Sequence, residues 1–183
     1  MLRSLLTQSL SVILLLCTGC SSHNHDGNQN KEIAENSIRQ WVPYPVELLD
    51  QKGLARLINE RNGKTLLLNI WATWCQPCVE EFPDLIKLAQ TDTSVEVIGI
   101  SVDYPDEIHI KVTSFLEKLK VPFKIYIAKF EKQEDFITAI DTAWNGAIPA
   151  TSIYDRRGRK QFSRIGLGTY DLFEKRIQEI RTN

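Results

Sequence analysis

The sequence predicts an α/β fold in which helices cover both faces of a central mixed β-sheet. Two apolar runs, residues 64–71 and 95–102, have the length and composition of buried strands. Each is followed by a stretch with helical spacing, as in the crossovers that join parallel strands. Near the C-terminus, two short strand-like runs flank the turn sequence at residues 155–158, which predicts a hairpin. Crossovers and a hairpin together make the predicted sheet mixed.

The predicted elements alternate between strand and helix, and they begin at residue 64. Apolar residues recur near a 3.6-residue spacing in the helices and form continuous runs in the strands. In chain order these are a strand at 64–71, a helix at 77–90, a strand at 95–102, a helix at 106–120, a strand at 123–128, a helix at 130–144, strands at 150–154 and 160–165, and a helix at 169–181. Thr169 or Asp171 is expected near the cap of the last helix. Residues 41–183 have the size of one domain.

Composition excludes two classes of protein. The 183 residues carry 22 Lys and Arg against 23 Asp and Glu, with no long run of one sign. Nucleic-acid binding needs a clustered basic face, so no nucleic-acid partner is expected. The four cysteines form two pairs, Cys17 with Cys20 and Cys75 with Cys78. A scaffold held by several disulfides would spread its cysteines through the fold, so that class is also excluded.

The first 19 residues have the three parts of an export signal. Arg3 supplies the positive start, residues 10–16 are mostly apolar, and small residues stand just before Cys20. The apolar run is too short to span a membrane as a mature helix. Residues 16–20 resemble the bacterial lipobox, which implies that Cys20 becomes a lipidated first residue and anchors the chain to a membrane. The alternative is a plain secretory signal cleaved near the same place.

Both alternatives place the mature protein in the cell envelope, on the periplasmic side, where disulfide chemistry is permitted. The sequence leaves open whether the anchoring membrane is the inner or the outer one. Residues 20–40 are polar and are expected to form a flexible tether between the lipid and the domain. His23 and His25 in this tether are typical of a solvated linker rather than a metal site, and no metal is expected.

Cys75 and Cys78 are separated by two residues, follow a buried strand and open a helix. At a helix N-terminus, free backbone N–H groups and the helix dipole stabilise a thiolate, which is the attacking species in disulfide exchange. Cys78 lies one turn further on, close enough to attack a mixed disulfide formed on Cys75. Pro77 fits the first helical turn, where its missing N–H costs little. The pattern predicts a redox-active dithiol that needs no bound cofactor, because the cysteines carry the electrons.

Two structural alternatives compete with this interpretation. A structural zinc site needs four ligands, and the body of the chain offers only these two cysteines and His109. An inert structural disulfide rarely needs the helix-opening pattern Trp-Cys-x-Pro-Cys. Further along the chain, Ile148 and Pro149 precede an apolar strand. Proline is tolerated at a strand start, and on sequence alone a cis bond there is the minority outcome.

These motifs together resemble the thioredoxin superfamily, and within it the extracytoplasmic TlpA/ResA branch, which includes reductases of cytochrome c maturation. The resemblance rests on residues 71–78, 81–83 and 148–151 and extends from about Val46 to the C-terminus. It implies a thioredoxin-like fold, with an extra helix at residues 103–120 inserted between strands. Asn69 stands where cytoplasmic thioredoxins keep a buried aspartate, a departure that favours the exported branch.

The resemblance also implies roles for individual residues. Cys75 would be the nucleophile and Cys78 the resolving cysteine. Pro149 would be a cis-proline that packs beside the dithiol and, with its neighbour Ile148 and with Trp74, binds client peptides. A glutamate three residues after the second cysteine, here Glu81, would help to set thiol acidity, as its position one helical turn from Cys78 allows. The alternative is that Glu81 is a surface residue like Glu80.

The predicted activity is reduction of disulfides in exported client proteins, followed by re-reduction through a membrane-linked dithiol donor. The same chemistry run backwards would make the protein a thiol oxidant, and sequence does not fix the direction. A copper-binding or copper-delivering module is the alternative from another class, because a dithiolate suits Cu(I), with His109 as its candidate histidine. A peroxidase ranks below both, since its reactive cysteine stands in a different local motif.

Overall fold

The computed structural model describes residues 45–182, except for the side chain of His109. The predicted signal segment, the tether and Cys20 lie outside the described residues. The strands are β1 (Glu47–Leu49), β2 (Thr65–Trp71), β3 (Val95–Ser101), β4 (Lys124–Ala128), β5 (Ala150–Tyr154) and β6 (Lys160–Ile165). The α-helices are α1 (Gln51–Asn59), α2 (Gln76–Thr91), α3 (Thr113–Leu119), α4 (Gln133–Ile140) and α5 (Tyr170–Thr182).

The strands form one six-stranded mixed sheet in the order β1-β4-β3-β2-β5-β6. The pairs β1–β4, β4–β3 and β3–β2 are parallel, whereas β2–β5 and β5–β6 are antiparallel. β2 lies between β3 and β5, and all seven of its residues are buried. A continuous apolar run was expected to give a strand covered on both faces, and β2 confirms this.

Two hydrophobic cores lie against the two faces of the sheet, and alternate residues of β2 contribute to each. Leu67 belongs to the core that contains buried residues of α2, α3 and α5. Leu66 and Leu68 belong to the other core, which contains buried residues of α1 and α4. Since successive side chains of a strand point to opposite faces, the helices cover both sides of the sheet. The predicted α/β architecture is therefore confirmed.

The C-terminal hairpin has the predicted strand bounds. The carboxylate of Asp155 stabilises its turn, because Oδ1 accepts hydrogen bonds from the backbone N–H groups of Arg157 and Arg159, at 2.9 and 3.0 Å. Gly158 in this turn has φ +77°, a left-handed conformation that glycine adopts without steric cost. The last helix is capped by Thr169, whose hydroxyl accepts the N–H of Leu172 at 3.4 Å.

The first strand and helix were not predicted. β1 has three residues, and α1 buries only Leu54. Gly53 also weakens the helical pattern of α1. One local signal was present: Asp50 is the N-cap, and its carboxylate accepts the N–H of Gly53 at 2.7 Å. The short apolar content of this unit explains why periodicity did not find it.

The sequence predicted one regular helix at residues 106–120 in the inserted segment, but the structure has three short helical turns of different types there. A 3₁₀ turn at Pro105–Glu107 leads into a π-helical turn at Ile108–Val112, and α3 follows. The segment ends at Lys120, which has φ +51°. The predicted helix at 130–144 is also shorter, because the backbone becomes extended at Asp141, whose side chain pairs with Lys160 at 2.8 Å. Within residues 45–182, no helix has the length and apolarity needed to cross a membrane.

Candidate functional site

Cys75 and Cys78 lie where the sequence predicted them, at the N-terminus of α2 immediately after β2. They form a disulfide, with Cα atoms 5.2 Å apart. Cys75 is the N-cap, and its Sγ accepts the backbone N–H of Cys78 at 3.3 Å. Cys75 is 6% exposed, whereas Cys78 is 1% exposed. A client sulfur can therefore approach Cys75 more readily than Cys78.

Trp74 and the loop before β5 border the dithiol. Trp74 is 63% exposed, although large aromatic side chains are usually covered. The peptide bond between Ile148 and Pro149 is cis, as the resemblance implied. Ala150, the next residue, pairs with Ile70 near the end of β2, so this loop lies beside the turn that carries the cysteines.

Glu81, three residues after Cys78 on α2, is buried and only 1% exposed, so the alternative of a surface residue is wrong. Its Oε1 accepts the backbone N–H of Gly168 at 3.2 Å and the hydroxyl of Thr151 at 3.4 Å. Its Oε2 accepts Nδ2 of Asn69 at 3.3 Å. Burial raises the pKa of Glu81 to about 7, and these hydrogen bonds only partly offset that effect. A carboxyl group with this pKa exchanges protons near neutral pH.

Two partners of Glu81, Thr151 and Gly168, were not identified as site residues from the sequence. The hydroxyl of Thr151 also accepts Nδ2 of Asn69 at 3.0 Å, so it links the amide to the carboxylate. At Gly168 an added Cβ would lie 2.8 Å from Oε1 of Glu81 and 2.1 Å from Cζ of Phe173. A side chain at position 168 would clash with these atoms, so glycine is needed for the backbone N–H to reach Glu81. Thr151 stood in a quoted motif, but nothing in the sequence connects Gly168 to a residue 87 positions earlier.

A second buried carboxylate, Asp103, lies two residues after the end of β3 and was also missed. It is 2% exposed. Its oxygens accept the backbone N–H of Thr73 at 2.9 Å, the hydroxyl of Thr73 at 2.6 Å and the hydroxyl of Ser101 at 2.5 Å. Three donors satisfy the buried charge, and two of them belong to the turn that leads to Cys75.

A groove of about 650 Å³ lies next to the dithiol. We call it the client groove because we propose that client segments bind there. Its lining includes Trp74, Tyr104, Phe130, Ile137, Trp144 and Ile148. The indole N–H of Trp144 donates to the carbonyl of Ala147 at 2.8 Å, which ties the groove to the loop before Pro149. The volume and a lining of mostly apolar and aromatic residues, with a few polar ones, are typical of sites that bind small apolar groups.

The copper alternative gains no further ligand from residues 45–182. Among their described side chains, no group of three or more His, Cys, Asp or Glu is placed to hold a metal ion. The side chain of His109, the candidate histidine, lies outside the described part.

A buried central strand, a dithiol opening the following helix and a cis-proline beside it define a thioredoxin-type thiol–disulfide oxidoreductase. The model of the AhpC/TSA family matches residues 41–161, and the chain belongs to this family.

Among curated proteins, the chain is similar to the thiol-disulfide oxidoreductase ResA of Geobacillus kaustophilus, with 25% identity over 98% of this chain and 97% of that protein. It is 31% identical to the thiol:disulfide interchange protein DsbE of Pasteurella multocida, over 86% of this chain and 82% of the relative. Among solved structures, it resembles a thioredoxin-related protein of Neisseria meningitidis serogroup B. That structure has a TM-score of 0.57 and 22% identity, and the match covers 66% of this chain and 87% of the other.

Proposed function

We propose that this protein reduces disulfides in exported client proteins by exchange at Cys75 and Cys78. The observation that carries the proposal is the unequal burial of two cysteines at one helix N-terminus. Cys75, the more exposed of the two, accepts an N–H from the helix, which favours its thiolate, while Cys78 is more deeply buried next to it. The relatives named as thiol–disulfide oxidoreductases support the same chemistry.

The reaction has two exchange steps. The Cys75 thiolate attacks one sulfur of the client disulfide, and the other client sulfur leaves as a thiolate. Cys78 then loses its proton and attacks Sγ of Cys75, which re-forms the Cys75–Cys78 disulfide and releases the second client sulfur. Two electrons pass from the dithiol to the client, whose two thiolates take up protons. The structure contains the Cys75–Cys78 disulfide and therefore corresponds to the oxidised product of the second step.

Glu81 is proposed to accept the proton of Cys78 in the second step. The two residues are three positions apart on α2 and both are buried, so bulk water is a poor acceptor for this thiol. A carboxyl group with a pKa of about 7 can take the proton and return it to a leaving thiolate. Glu81 therefore acts in the resolving step rather than in the first attack.

Trp74, Ile148 and Pro149 are proposed to bind the client segment that carries the disulfide. Trp74 and Ile148 line the client groove, and each stands next to the site: Trp74 directly precedes Cys75, and Ile148 directly precedes the cis-proline. A client cysteine above Cys75 would place neighbouring client residues along this groove.

The cellular setting is proposed from the sequence and the relatives. Residues 1–19 would direct export, lipidated Cys20 would anchor the chain, and residues 20–40 would tether a thioredoxin-like domain at residues 41–183. Electrons would come from a membrane-linked dithiol donor. The clients would be exported proteins that need free thiols, and c-type cytochromes in maturation are the class that the resemblance implies.

Cysteine variants of the full-length chain test the mechanism. Cys75→Ser should abolish exchange, whereas Cys78→Ser should trap mixed disulfides with clients, visible as reducible adducts on non-reducing gels. An active Cys75→Ser protein together with a Cys78→Ser protein that traps nothing would exclude this mechanism.

The direction of electron flow follows from the reduction potential of the pair, measured by tryptophan emission in defined thiol buffers. A value near that of thioredoxin, about −270 mV, supports a reductant, and a value near about −120 mV makes the protein a disulfide donor instead.

A further inference from the structure

The turn that carries the nucleophile is fastened to the neighbouring strand by one side chain. Thr73 stands two residues before Cys75, and both its backbone N–H and its hydroxyl donate to the carboxylate of Asp103. Asp103 is held in turn by Ser101 in β3, since their side chains are hydrogen-bonded and the Asp103 N–H donates to Oγ of Ser101 at 2.9 Å. We call Ser101, Asp103 and Thr73 the carboxylate clamp.

The rest of the turn has few other restraints before the helix begins. The N–H of Cys75 donates to the carbonyl of Ala72 at 3.2 Å, and the N–H of Val102 donates to the carbonyl of Trp71 at 2.9 Å. These bonds fix the two ends, while Thr73 in the middle is held by Asp103. In the oxidised protein the S–S bond fixes Sγ of Cys75. Once that bond is reduced, the position of Cys75 depends on where the clamp holds residue 73.

The chemistry of the clamp fits a positioning role. A buried carboxylate costs free energy unless its oxygens are well hydrogen-bonded, and charge-assisted bonds to it are the strong ones. Apart from Ser101, which anchors it, both donors come from the active-site turn. An asparagine at position 103 would have one oxygen acceptor, and its N–H₂ group would face a donor that now bonds to the carboxylate. The Asp103 carboxylate is therefore hydrogen-bonded to the active-site turn and is shielded from solvent.

We propose that Asp103 is a positioning residue that holds the Thr73–Cys75 turn and thereby sets the reactivity of the Cys75 thiol. This inference rests on the proposed role of Cys75 as nucleophile. Asp103 and the next residue, Tyr104, both line the client groove, and Tyr104 is exposed. The clamp therefore joins the nucleophile's turn to the start of the inserted segment.

The test is the pH dependence of Cys75 alkylation by iodoacetamide in the reduced full-length chain, with the labelled cysteine located by tandem mass spectrometry. The decisive variant is Thr73→Val, which removes the clamp hydroxyl without changing any charge. We expect the midpoint of its pH–rate profile to move upward and its rate at pH 7 to fall about threefold, the worth of one hydrogen bond. Thr73→Ser keeps the hydroxyl and should retain the wild-type profile.

A double-mutant cycle shows whether the hydroxyl acts through Asp103. Thr73→Val combined with Asp103→Ala should match Asp103→Ala alone, because the partner is already gone. Asp106→Asn is the matched charge control, since Asp106 is an exposed acid three residues further on. Thermal unfolding of each variant is measured beside the profile, and Thr73→Val alone decides the matter if Asp103→Ala does not fold.

Additive effects in the cycle, or a Thr73→Val profile identical to that of the wild type despite a lower unfolding temperature, would overturn the positioning role. Labelling of Cys78 in place of Cys75 in the wild-type protein would instead refute the proposed nucleophile, so the two failures are distinguishable.

Discussion

Glu81 is held by three hydrogen-bond donors, yet burial outweighs them. Isolating the carboxylate from water is the largest effect on its pKa, and the bonds from Gly168, Asn69 and Thr151 recover only part of the lost hydration. The folded, oxidised protein therefore binds a proton at Glu81 more tightly than the unfolded chain does. That preference contributes stability at low pH, and the contribution is lost as pH rises from about 4.5 through about 7.

Replacement by glutamine should remove this pH dependence. A rise in pKa from 4.5 to about 7 corresponds to about 3 kcal/mol as an upper limit. Oxidised Glu81→Gln protein should thus lose less stability than the wild type between pH 4.5 and 7.5, by up to that amount. Urea denaturation across this range measures the effect. Glu80→Gln, exposed on the same helix, should behave like the wild type, and a parallel pH dependence for the two variants would contradict the assignment.

The client groove is built by loops rather than by a single element. Tyr104 follows β3, Phe130 follows β4, and Ile148 precedes β5, while α4 contributes Ile137. Because these loops leave the sheet at the edge where Cys75 lies, the groove and the dithiol share one end of the molecule. On the proposed role of the groove, a change in its lining should alter client binding without altering the thiol chemistry.

A charge placed in the groove separates binding from chemistry. Ile137→Lys should raise KM for a protein disulfide such as insulin about tenfold, because a lysine in an apolar contact disfavours the client. Reaction with bis(2-hydroxyethyl) disulfide, which has no apolar side chain to place in the groove, should be nearly unchanged. Thr138→Lys puts the same charge on the neighbouring, exposed position of α4 and should leave both reactions as in the wild type. Equal losses with both disulfides in Ile137→Lys would argue against the groove.

The sheet separates two hydrophobic cores, of which one contains the redox-active cysteines. Leu67 shares its core with Cys75, Cys78 and the aromatic contacts of Phe82, whereas Leu66 lies on the other face with α1 and α4. Both side chains are fully buried, so their removal costs similar packing energy. The two cysteines belong to the core that contains Leu67, and not to the other.

Adjacent leucines of β2 provide a matched pair for this division. Leu66→Ala and Leu67→Ala should each cost about 2–5 kcal/mol of unfolding free energy. Only Leu67→Ala should change the reduction potential of the dithiol, because only that cavity opens in the core that contains the cysteines. Denaturant titration and redox equilibration of the same samples measure both quantities. The same change in potential for both variants would show that the cores are not separate.

How much was predictable differs between local and distant features. The run at β2, the dithiol at the start of α2 and the hairpin around Asp155 are written in short stretches of sequence, and all were found. Glu81 depends on partners 12 to 87 residues away, and the bonds between Thr73 and Asp103 span 30 residues, which no local pattern records. The β1–α1 unit failed for another reason, since three strand residues and one buried leucine give too little periodicity.

The two outer strands of the sheet end it in different ways. β1 offers only three residues of backbone, and β6 carries Lys160 and Arg164 along a strand that is mostly exposed. Short edges and charged edges both discourage another chain from adding a strand. Another chain therefore has few free backbone groups with which to extend the sheet. Both edges thus disfavour aggregation by strand addition.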